Sequence, residues 1–511
     1  MLGTRTSAFL KLSKRDLKYD FPASVVVFLV ALPLCLGIAM ASGAPLFSGI
    51  VTGVIGGLVV AAISKSPLSV SGPAAGLTVI VFTAIEKLGA YETFLLAVVI
   101  AGIMQLILGI IKAGMIGNYF PSSVILGMLA AIGITIILKQ IPLALGMLEN
   151  HAFEVEAGGG IAAFGDTIAA TVNWGATLIC LLSIAVLIYW PKLKGLNKVP
   201  APLVVVLLGV GLAFAFQGTT MALSANHFVL IPIVNSFQEF TGLFAFPDFG
   251  QILNKEVWIV AATLAIIASL ETLLSIEAVD KLDPFKRVTP TNRELIAQGV
   301  GNVSSGLLGG LPLTSVIVRS SANVQAGGRT RQSAMLHGVW LLVALMAIPM
   351  LINLIPLSCL AAILLHTGYK LANPALFKSM LRKGLDQFIP FAITVVAIVF
   401  TDLLVGVGIG ILVAVCYIIR ANMNNAFKME ITGKEGDQTA VMILAEEVSF
   451  LNKVPIQQKL HSLPKNISSI RIDGKASKFI DKDVIEVLRD FELNAVSKGL
   501  NIELESISYK K

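Results

Sequence analysis

Apolar runs about twenty residues long succeed one another from Pro22 to Ile419, separated by short polar loops. That is the length an α-helix needs to cross the hydrocarbon core of a bilayer, so the pattern predicts a bundle of membrane-spanning helices. We read fourteen of them: 22–42, 46–64, 74–86, 93–112, 121–142, 172–190 and 200–216, then 256–276, 291–308, 315–325, 333–353, 356–370, 386–401 and 402–420. The third and tenth are short and broken at their entrances. One opens as Ser69-Val70-Ser71-Gly72-Pro73-Ala74-Ala75-Gly76-Leu77-Thr78, the other as Gly309-Gly310-Leu311-Pro312-Leu313-Thr314-Ser315-Val316-Ile317-Val318-Arg319. Irregular backbone survives at membrane depth only where protein or a water-filled cavity satisfies the freed polar groups. Matching interrupted helices, one in each half of a chain, are the best sequence-level pointer to a transporter's substrate site.

The two halves repeat weakly. Pro33 lies 40 residues before Pro73, and Glu271 lies 41 before Pro312. Seven spans is an odd number, so the second half enters the membrane with the opposite orientation, and an inverted repeat is expected. Past Ala426 the pattern changes to that of a soluble domain over 428–511. Strands are expected around Val441–Leu444, Ser469–Ile472 and Ile502–Leu504, with an amphipathic helix over Asp483–Ser497, which together suggest a small α/β unit.

Composition agrees with this reading and charge orients it. The 511 residues are 56% hydrophobic and 14% charged, which excludes an ordinary soluble domain. The formal charge of +7 would suit a nucleic-acid binder, but the cations follow the positive-inside rule instead. Arg5, Lys11, Lys14, Arg15 and Lys18, then Lys65, Lys112, Lys192, Lys194 and Lys198, fall in segments that share one side; so do Arg287, Arg293, Arg329, Arg331, Lys370, Lys378 and Arg382. The facing loop 143–171 is acidic, with Glu149, Glu154, Glu156 and Asp166. Both termini are therefore expected in the cytoplasm, with residues 1–21 as a tail, 22–421 as the membrane domain and no nucleic-acid partner. The first run is too long for a secretory signal and lacks a cleavage site, so its retention is expected. Cys35, Cys180, Cys359 and Cys416 lie in apolar spans at spacings that suit neither a metal cluster nor a disulfide framework.

The chemistry lies at the broken helices. If each becomes helical just after its proline, both N-termini point toward the membrane centre, one from each side. Each offers unpaired N–H groups and about half a positive charge, and two facing N-termini form an anion site without a dedicated lysine. Pro73, Ala74, Ala75 and Gly76 would let an ion approach the backbone; Thr314 and Ser315 would add hydroxyls, Val316 and Ile317 backbone N–H groups, and Arg319 positive potential. The plainer alternative is that Gly and Pro only kink helices for packing. Glu271, mid-span with Ser275 on the same face, is costly as a bare carboxylate. Beside an anion site it needs a proton or a cation. Two arrangements stay open: a proton on Glu271 or Na⁺ held by Glu271, Ser275 and Ser315, and a buried pairing of Glu271 with Arg319. Glycines such as Gly57, Gly306 and Gly310 are expected to allow close helix packing, and Arg293 and Glu294 to pair structurally.

These residues resemble the SulP anion permeases, bacterial relatives of solute carrier family 26. The match runs through Asn292-Arg293-Glu294-Leu295-Ile296-Ala297-Gln298-Gly299, Asn302, Gly306 and Gly309-Gly310-Leu311-Pro312 to Arg319, Asn323 and Gly327-Gly328-Arg329-Thr330, and the tail is similar to a STAS domain. The resemblance implies a polytopic fold of seven plus seven inverted spans with half-helices 3 and 10. It divides them into a mobile core (spans 1–4 and 8–11) and a gate (spans 5–7 and 12–14). It also implies an inner-membrane homodimer, not an enzyme, that moves sulfate, bicarbonate, chloride or dicarboxylates by an elevator motion. No cofactor is implied beyond Na⁺ as a coupling ion, and the STAS-like domain could take a cytoplasmic partner. Where many members carry Gln after the first-span proline, this chain has Leu34, Cys35 and Leu36. With Leu34 and Leu36 as apolar walls, a small site and bicarbonate are favoured, sulfate next. The stretch Asp481-Lys482-Asp483 lacks the hydroxyl usual in STAS domains, so phosphorylation there is not expected. Competing readings are an uncoupled channel or exchanger, a dicarboxylate carrier, a nucleobase permease and a membrane docking platform acting through its tail.

Overall fold

The computed structural model describes residues 16–115, 121–147, 172–193, 199–233, 237–401, 403–434, 437–464, 467–496 and 500–507. Arg5, Lys11, Lys14, Arg15, Lys194, Lys198 and the acidic residues Glu149 to Asp166 lie outside them. Each expected span falls on a helix. In the first half these are α1 (Leu17–Ala41), α2 (Leu46–Ile63), α3 (Thr78–Leu88), α4 (Tyr91–Ile110), α5 (Ser122–Ala144), α6 (Trp174–Tyr189) and α7 (Ala201–Ala215). The second half holds α8 (Lys255–Leu282), α9 (Thr291–Leu307), α10 (Ile317–Gln325), α11 (Gln332–Ala347), α12 (Leu357–Leu371), α13 (Leu385–Phe400) and α14 (Leu403–Asn424). Seven helices among the described residues are long and apolar enough to cross a bilayer by length and composition. The run expected to be continuous over 333–353 instead stops at Ala347 and resumes as a short helix, Pro349–Ile352. Pro349 supplies no N–H and disfavours helical backbone in the residue before it. Conversely, α8 extends past its apolar stretch to Leu282, where Lys281 pairs with Glu277 one turn back at 2.6 Å.

Glycine pairs carry the helix crossings, and they repeat between the halves. Gly57 on α2 packs on Gly338 of α11, and a Cβ added to Gly57 would come within 2.5 Å of the Gly338 Cα. Gly102 on α4 and Gly299 on α9 meet in the same way, each placing the other's carbonyl oxygen 2.8 Å from an added Cβ. Spans 2 and 11 are thus joined as spans 9 and 4 are, which is what an inverted repeat requires. A third pair, Gly133 on α5 and Gly368 on α12, joins the fifth span of each half, with added Cβ atoms 2.5 and 2.7 Å from the opposing carbonyls. Backbone approach this close needs small residues and gives the dispersion contact that drives helix association in lipid.

The Gly327-Gly328-Arg329-Thr330 turn also has a structural role. Gly327 takes φ +86°, and the Arg329 and Thr330 N–H groups donate to the Asp20 carboxylate at 2.7 and 3.0 Å. Asp20 is fully buried in the first turn of α1 and so ties the start of α1 to the start of α11. Arg287 completes the knot by donating to the Arg329 carbonyl at 2.9 Å and pairing with Asp283 at 2.7 Å. The Asp283 carboxyl loses solvation on burial, but the Arg287 side chain and two backbone N–H groups outweigh that and hold it below the ordinary carboxylate range.

By contacts the chain divides into two compact units, 1–382 with 394–407 and 383–393 with 408–511, so the division falls within α13 and α14. In the second unit a four-stranded sheet runs in the order β3 (Phe427–Lys434), β4 (Asp437–Leu444), β5 (Ile467–Asp473), β6 (Asn501–Glu505), antiparallel only at β3–β4. Two helices, α15 (Lys453–His461) and α16 (Lys482–Val496), help close a core of Met442, Leu444, Ile456, Ile470, Ile472 and Leu488. The expected strands and the helix near Asp483 are present; β3 and α15 are additions. Asp481 accepts from the Asp483 N–H at 2.9 Å, a backbone-turn role that explains its place before α16.

Replacing Gly299 with Leu should force α4 and α9 apart, at a cost on the order of 1–3 kcal/mol. The same change at Gly211, where an added Cβ meets nothing within 4 Å, should be tolerated. Thermal stability of the detergent-solubilised protein separates the two.

Candidate functional site

The two broken entrances meet. Ser71–Pro73 forms a short strand, β1, paired antiparallel with β2 (Leu313–Ser315) in the register Ser71 to Ser315, Gly72 to Thr314 and Pro73 to Leu313. The Val316 N–H extends the ladder to the Val70 carbonyl at 3.0 Å. Each strand leads straight into a helix: β1 into a 3₁₀ turn, Ala75–Leu77, that continues as α3, and β2 into α10. The register therefore fixes both helix starts at one place. The first N–H groups of a helix have no acceptor inside it, so two sets of donors converge there.

A ladder of polar side chains on α9 holds this irregular backbone, one rung per turn. Glu294, fully buried, accepts from the Ser64 hydroxyl at the end of α2 and from Gln298 Nε2 at 2.9 Å. Gln298 Nε2 also donates to Ser71 Oγ of β1 at 2.8 Å. Asn302 grips Leu313 of β2 from both sides: its Nδ2 donates to the Leu313 carbonyl at 3.1 Å and its Oδ1 accepts the Leu313 N–H at 2.7 Å. Ser305 donates to the Leu311 carbonyl at 2.6 Å, and Thr52 of α2 accepts the Leu311 N–H at 2.6 Å. From α10, Ser320 accepts the Val70 N–H at 2.9 Å and Asn323 donates to the Leu68 carbonyl at 3.0 Å. Arg293 donates to the Ile63 carbonyl at 3.0 Å, so Arg293 and Glu294 serve the packing of α9 on α2 as expected.

The expected site residues take different positions in this frame. Ala75 and Val316 are half-buried at the two helix starts, while Ile317 and Val318 are 41% and 38% exposed. Pro73, Ala74 and Gly76 are buried beside them. Leu34 and Leu36 both belong to the hydrophobic core; Leu34 also lines a cavity of about 460 Å³, and the fully buried Leu36 is not among its lining residues. The hydroxyls of Thr314 and Ser315 are spent inside the frame, on the Ser315 carbonyl and on Ser69 Oγ. Arg319 is fully buried behind β1: its Nη2 donates to the Pro73 carbonyl at 3.3 Å, and its Nη1 lies 2.1 Å from where a Gly72 Cβ would stand. Any side chain at Gly72 would have to displace the guanidinium.

Glu271 lies on the other side of the 3₁₀ turn. A Cβ added to Gly76 would come within 2.7 Å of Glu271 Oε1, and the Gly76 N–H lies in hydrogen-bonding reach of the carboxylate. Its Oε2 is buried without a partner, and among the described residues no ion pair joins it to Arg319. The pairing of the two that the sequence left open is therefore not formed. Thr272, the next residue along α8, accepts the Ser315 N–H at 3.3 Å, which places Glu271 against α3 and its neighbour against β2. Ser275 is buried one turn further on. A buried carboxylate oxygen without a partner, beside the Gly76 backbone, is a group that can take a proton or a hard cation. No group of three or more His, Cys, Asp or Glu side chains among the described residues could hold a metal ion.

Gln298, Asn302, Ser305 and Thr52 were not singled out as site residues from the sequence. For the three on α9 a signal was available: polar side chains every third or fourth residue along the helix.

The family model of the sulfate permease family matches residues 17–395. The candidate sulfate transporter YvdB of Bacillus subtilis is 30% identical over 451 residues, 85% of this chain and 81% of that protein. The bicarbonate transporter BicA of Picosynechococcus sp. is 27% identical over 421 residues, 79% of this chain and 70% of that protein. Among solved structures, the transmembrane domain of a cyanobacterial BicA aligns with a TM-score of 0.65 at 24% identity, covering 79% of this chain and 98% of that one. The overall structure of SLC26A9 aligns with a TM-score of 0.73 at 15% identity, covering 97% and 85%. These two structural matches show the fold.

Removing the amide of Asn302 tests the ladder. Asn302→Leu leaves the Leu313 N–H and carbonyl unsatisfied in an apolar surrounding, about 1–3 kcal/mol for each group. Lower thermal stability together with lost transport is the expected result, measured on the purified protein and in proteoliposomes.

Proposed function

The chain belongs to the sulfate permease family, and on that premise we propose that it carries a small inorganic anion across the membrane, bicarbonate before sulfate, coupled to Na⁺ or H⁺. The family is one of membrane transporters, and the chain is not an enzyme. The observation that carries the reading is the β1–β2 register, which brings the starts of α3 and α10 together beside Arg319. An anion held between them gains from two helix dipoles and a buried guanidinium while touching only backbone N–H groups and apolar walls. Leu34, Val318 and Ala322 line the adjoining cavity, and such walls suit a small ion that sheds part of its water. The relatives described as bicarbonate and sulfate transporters support the same substrate class.

Glu271 supports coupling. An ionised carboxylate at the Gly76 N–H competes with the cargo for the same helix start. With a proton on Oε2, or Na⁺ shared with oxygens near Ser275 and Ser315, the carboxylate stops repelling the anion.

The cavities support an elevator-like division. The 460 Å³ cavity is walled by α1 and α10 on one side and by α6, α7 and α12 on the other. A second, of about 270 Å³, lies between α3 and α8 on one side and α5 and the last turn of α13 with Thr401 on the other. Both follow the seam between spans 1–4 with 8–11 and spans 5–7 with 12–14, the surface along which a mobile core would slide past a gate. With the cytoplasm on the side of the α1 N-terminus, as the charge pattern places it, the larger cavity opens inward.

Proteoliposome uptake of labelled bicarbonate, sulfate and fumarate under separate Na⁺ and H⁺ gradients tests both substrate and coupling. Wild type should accumulate bicarbonate or sulfate under one of the gradients. Glu271→Gln should lose gradient-driven accumulation at least tenfold and keep anion exchange. Accumulation that survives Glu271→Gln unchanged would favour an uncoupled exchanger, and fumarate uptake alone would favour a dicarboxylate carrier.

A further inference from the structure

The larger cavity holds a lysine and a histidine that the half-helix site does not use. Along α1 it is lined by Val26, Val30 and Leu34, one stripe about 12 Å long at the helical rise. Opposite them, α12 contributes Ile363, His366, Thr367 and Lys370. His366 and Lys370 are the titratable side chains among its described lining residues, and no Asp or Glu is among them. Lys370 is exposed and His366 half-buried, so the charge faces the cavity water. A cation in a cleft with low-dielectric walls raises the local concentration of anions.

The partner helix of the repeat also carries a lysine past its crossing glycine, one turn farther along than Lys370. Helices α5 and α12 cross at Gly133 and Gly368. Lys370 lies two residues past its glycine on α12, and Lys139 six past its glycine on α5. Because the halves are inverted, the two lysines sit toward opposite ends of the bundle. Lys139 is not among the residues that line this cavity, and its Nζ lies 3.6 Å over the centre of the Phe82 ring on α3, a cation–π contact. One lysine thus faces open space beside half-helix α10, and the other is stacked onto half-helix α3.

We propose that Lys370 forms a staging site for the transported anion in the open cavity, with His366 one turn deeper, and that Lys139 is its counterpart on the opposite route, closed in this conformation by Phe82. The anion pairs transiently with Lys370 and passes Leu34 to the half-helix site. When the core moves, Phe82 leaves Lys139 and the second route gains its own cation. The inference rests on the anion-transport reading.

The full chain in proteoliposomes of uniform orientation, with labelled sulfate and bicarbonate as probes, tests it. Lys370→Gln should raise KM from the cavity side about three- to tenfold at low ionic strength, with maximal rate within twofold and the difference shrinking at high salt. Lys139→Gln should raise KM from the opposite side only. Lys370→Cys, placed in a Cys416→Ser background because Cys416 is exposed, adds a readout that a structural role would not move. Modification with an aminoethyl thiosulfonate should restore the wild-type KM, and a sulfonatoethyl reagent should raise KM further. An unchanged KM in Lys370→Gln, or equal effects of the two reagents, overturns the proposal. Wild-type protein that moves neither anion sinks the transport reading itself, whereas wild-type transport with indifferent Lys370 variants sinks the staging site alone.

Discussion

Three residues of strand paired with three others, at the point where two helices are broken, constrain everything else in the membrane unit. A helix that starts mid-membrane exposes N–H groups, and the extended segment leading into it exposes more. Neither can be left to lipid. Pairing β1 with β2 satisfies much of the extended backbone of both segments and in the same step fixes where the two helices begin. At the helix starts the Val316 N–H, expected from the sequence to face an anion, is taken by the Val70 carbonyl and the Leu77 N–H by the Ala74 carbonyl, which leaves Ile317 as the expected donor of the α10 start without such a strand partner. The proposed anion site is a consequence of how the polar backbone is satisfied.

That solution needs a rigid frame, and α9 provides it. Glu294, Gln298, Asn302 and Ser305 place carboxylate, amide and hydroxyl groups at successive turns, and each meets a backbone or side-chain group of the broken segments or of α2. Polar side chains in lipid are tolerated when a specific partner is present and are costly when it is not. The ladder therefore works as a register lock: a shift of β2 by one residue would leave Asn302 and Ser305 facing the wrong groups. The close contacts at Gly102 and Gly299 bring α9 near enough to α4 for Gln105 to join the ladder, accepting from Asn302 Nδ2 at 2.6 Å.

The membrane helices were legible because lipid imposes a length and a composition on each span, and the break points were legible because Gly and Pro mark them. Opposing charge in the loops supplied an orientation, and the alternation after Ala426 supplied the second unit. What could not be read was which way a side chain faces when both faces of its helix are apolar. Leu34 and Leu36 are neighbours of the same kind and both fill the core, yet Leu34 also lines the cavity and Leu36 does not. Arg319 shows the same limit from the polar side. Its position one turn into α10 suggested contact with the ion or with Glu271, but the guanidinium turns back under the Gly72 backbone, where only the absence of a Cβ makes room. The helix break at Ala347 was missed because Pro349 sits in a run whose hydropathy never falls.

On the proposed reading, coupling requires no separate machinery. Glu271 and the cargo anion are drawn to the same helix start, and they repel one another across a turn of three residues, Ala75–Leu77. A proton or cation on the free carboxylate oxygen removes that repulsion and so raises anion affinity. By linkage, the anion must raise affinity for the proton or cation by the same factor. Arg319 acts on both ions with opposite sign, since its charge favours the anion and disfavours the cation. Its burial behind the strand, donating to the Pro73 carbonyl and forming no ion pair with Glu271, keeps that charge from being neutralised by Glu271. Had the two formed an ion pair, the helix starts would have lost their positive background and the carboxylate its need for a second ion. The separation of Glu271 from Arg319 by the paired strands is thus what leaves both charges available for transport.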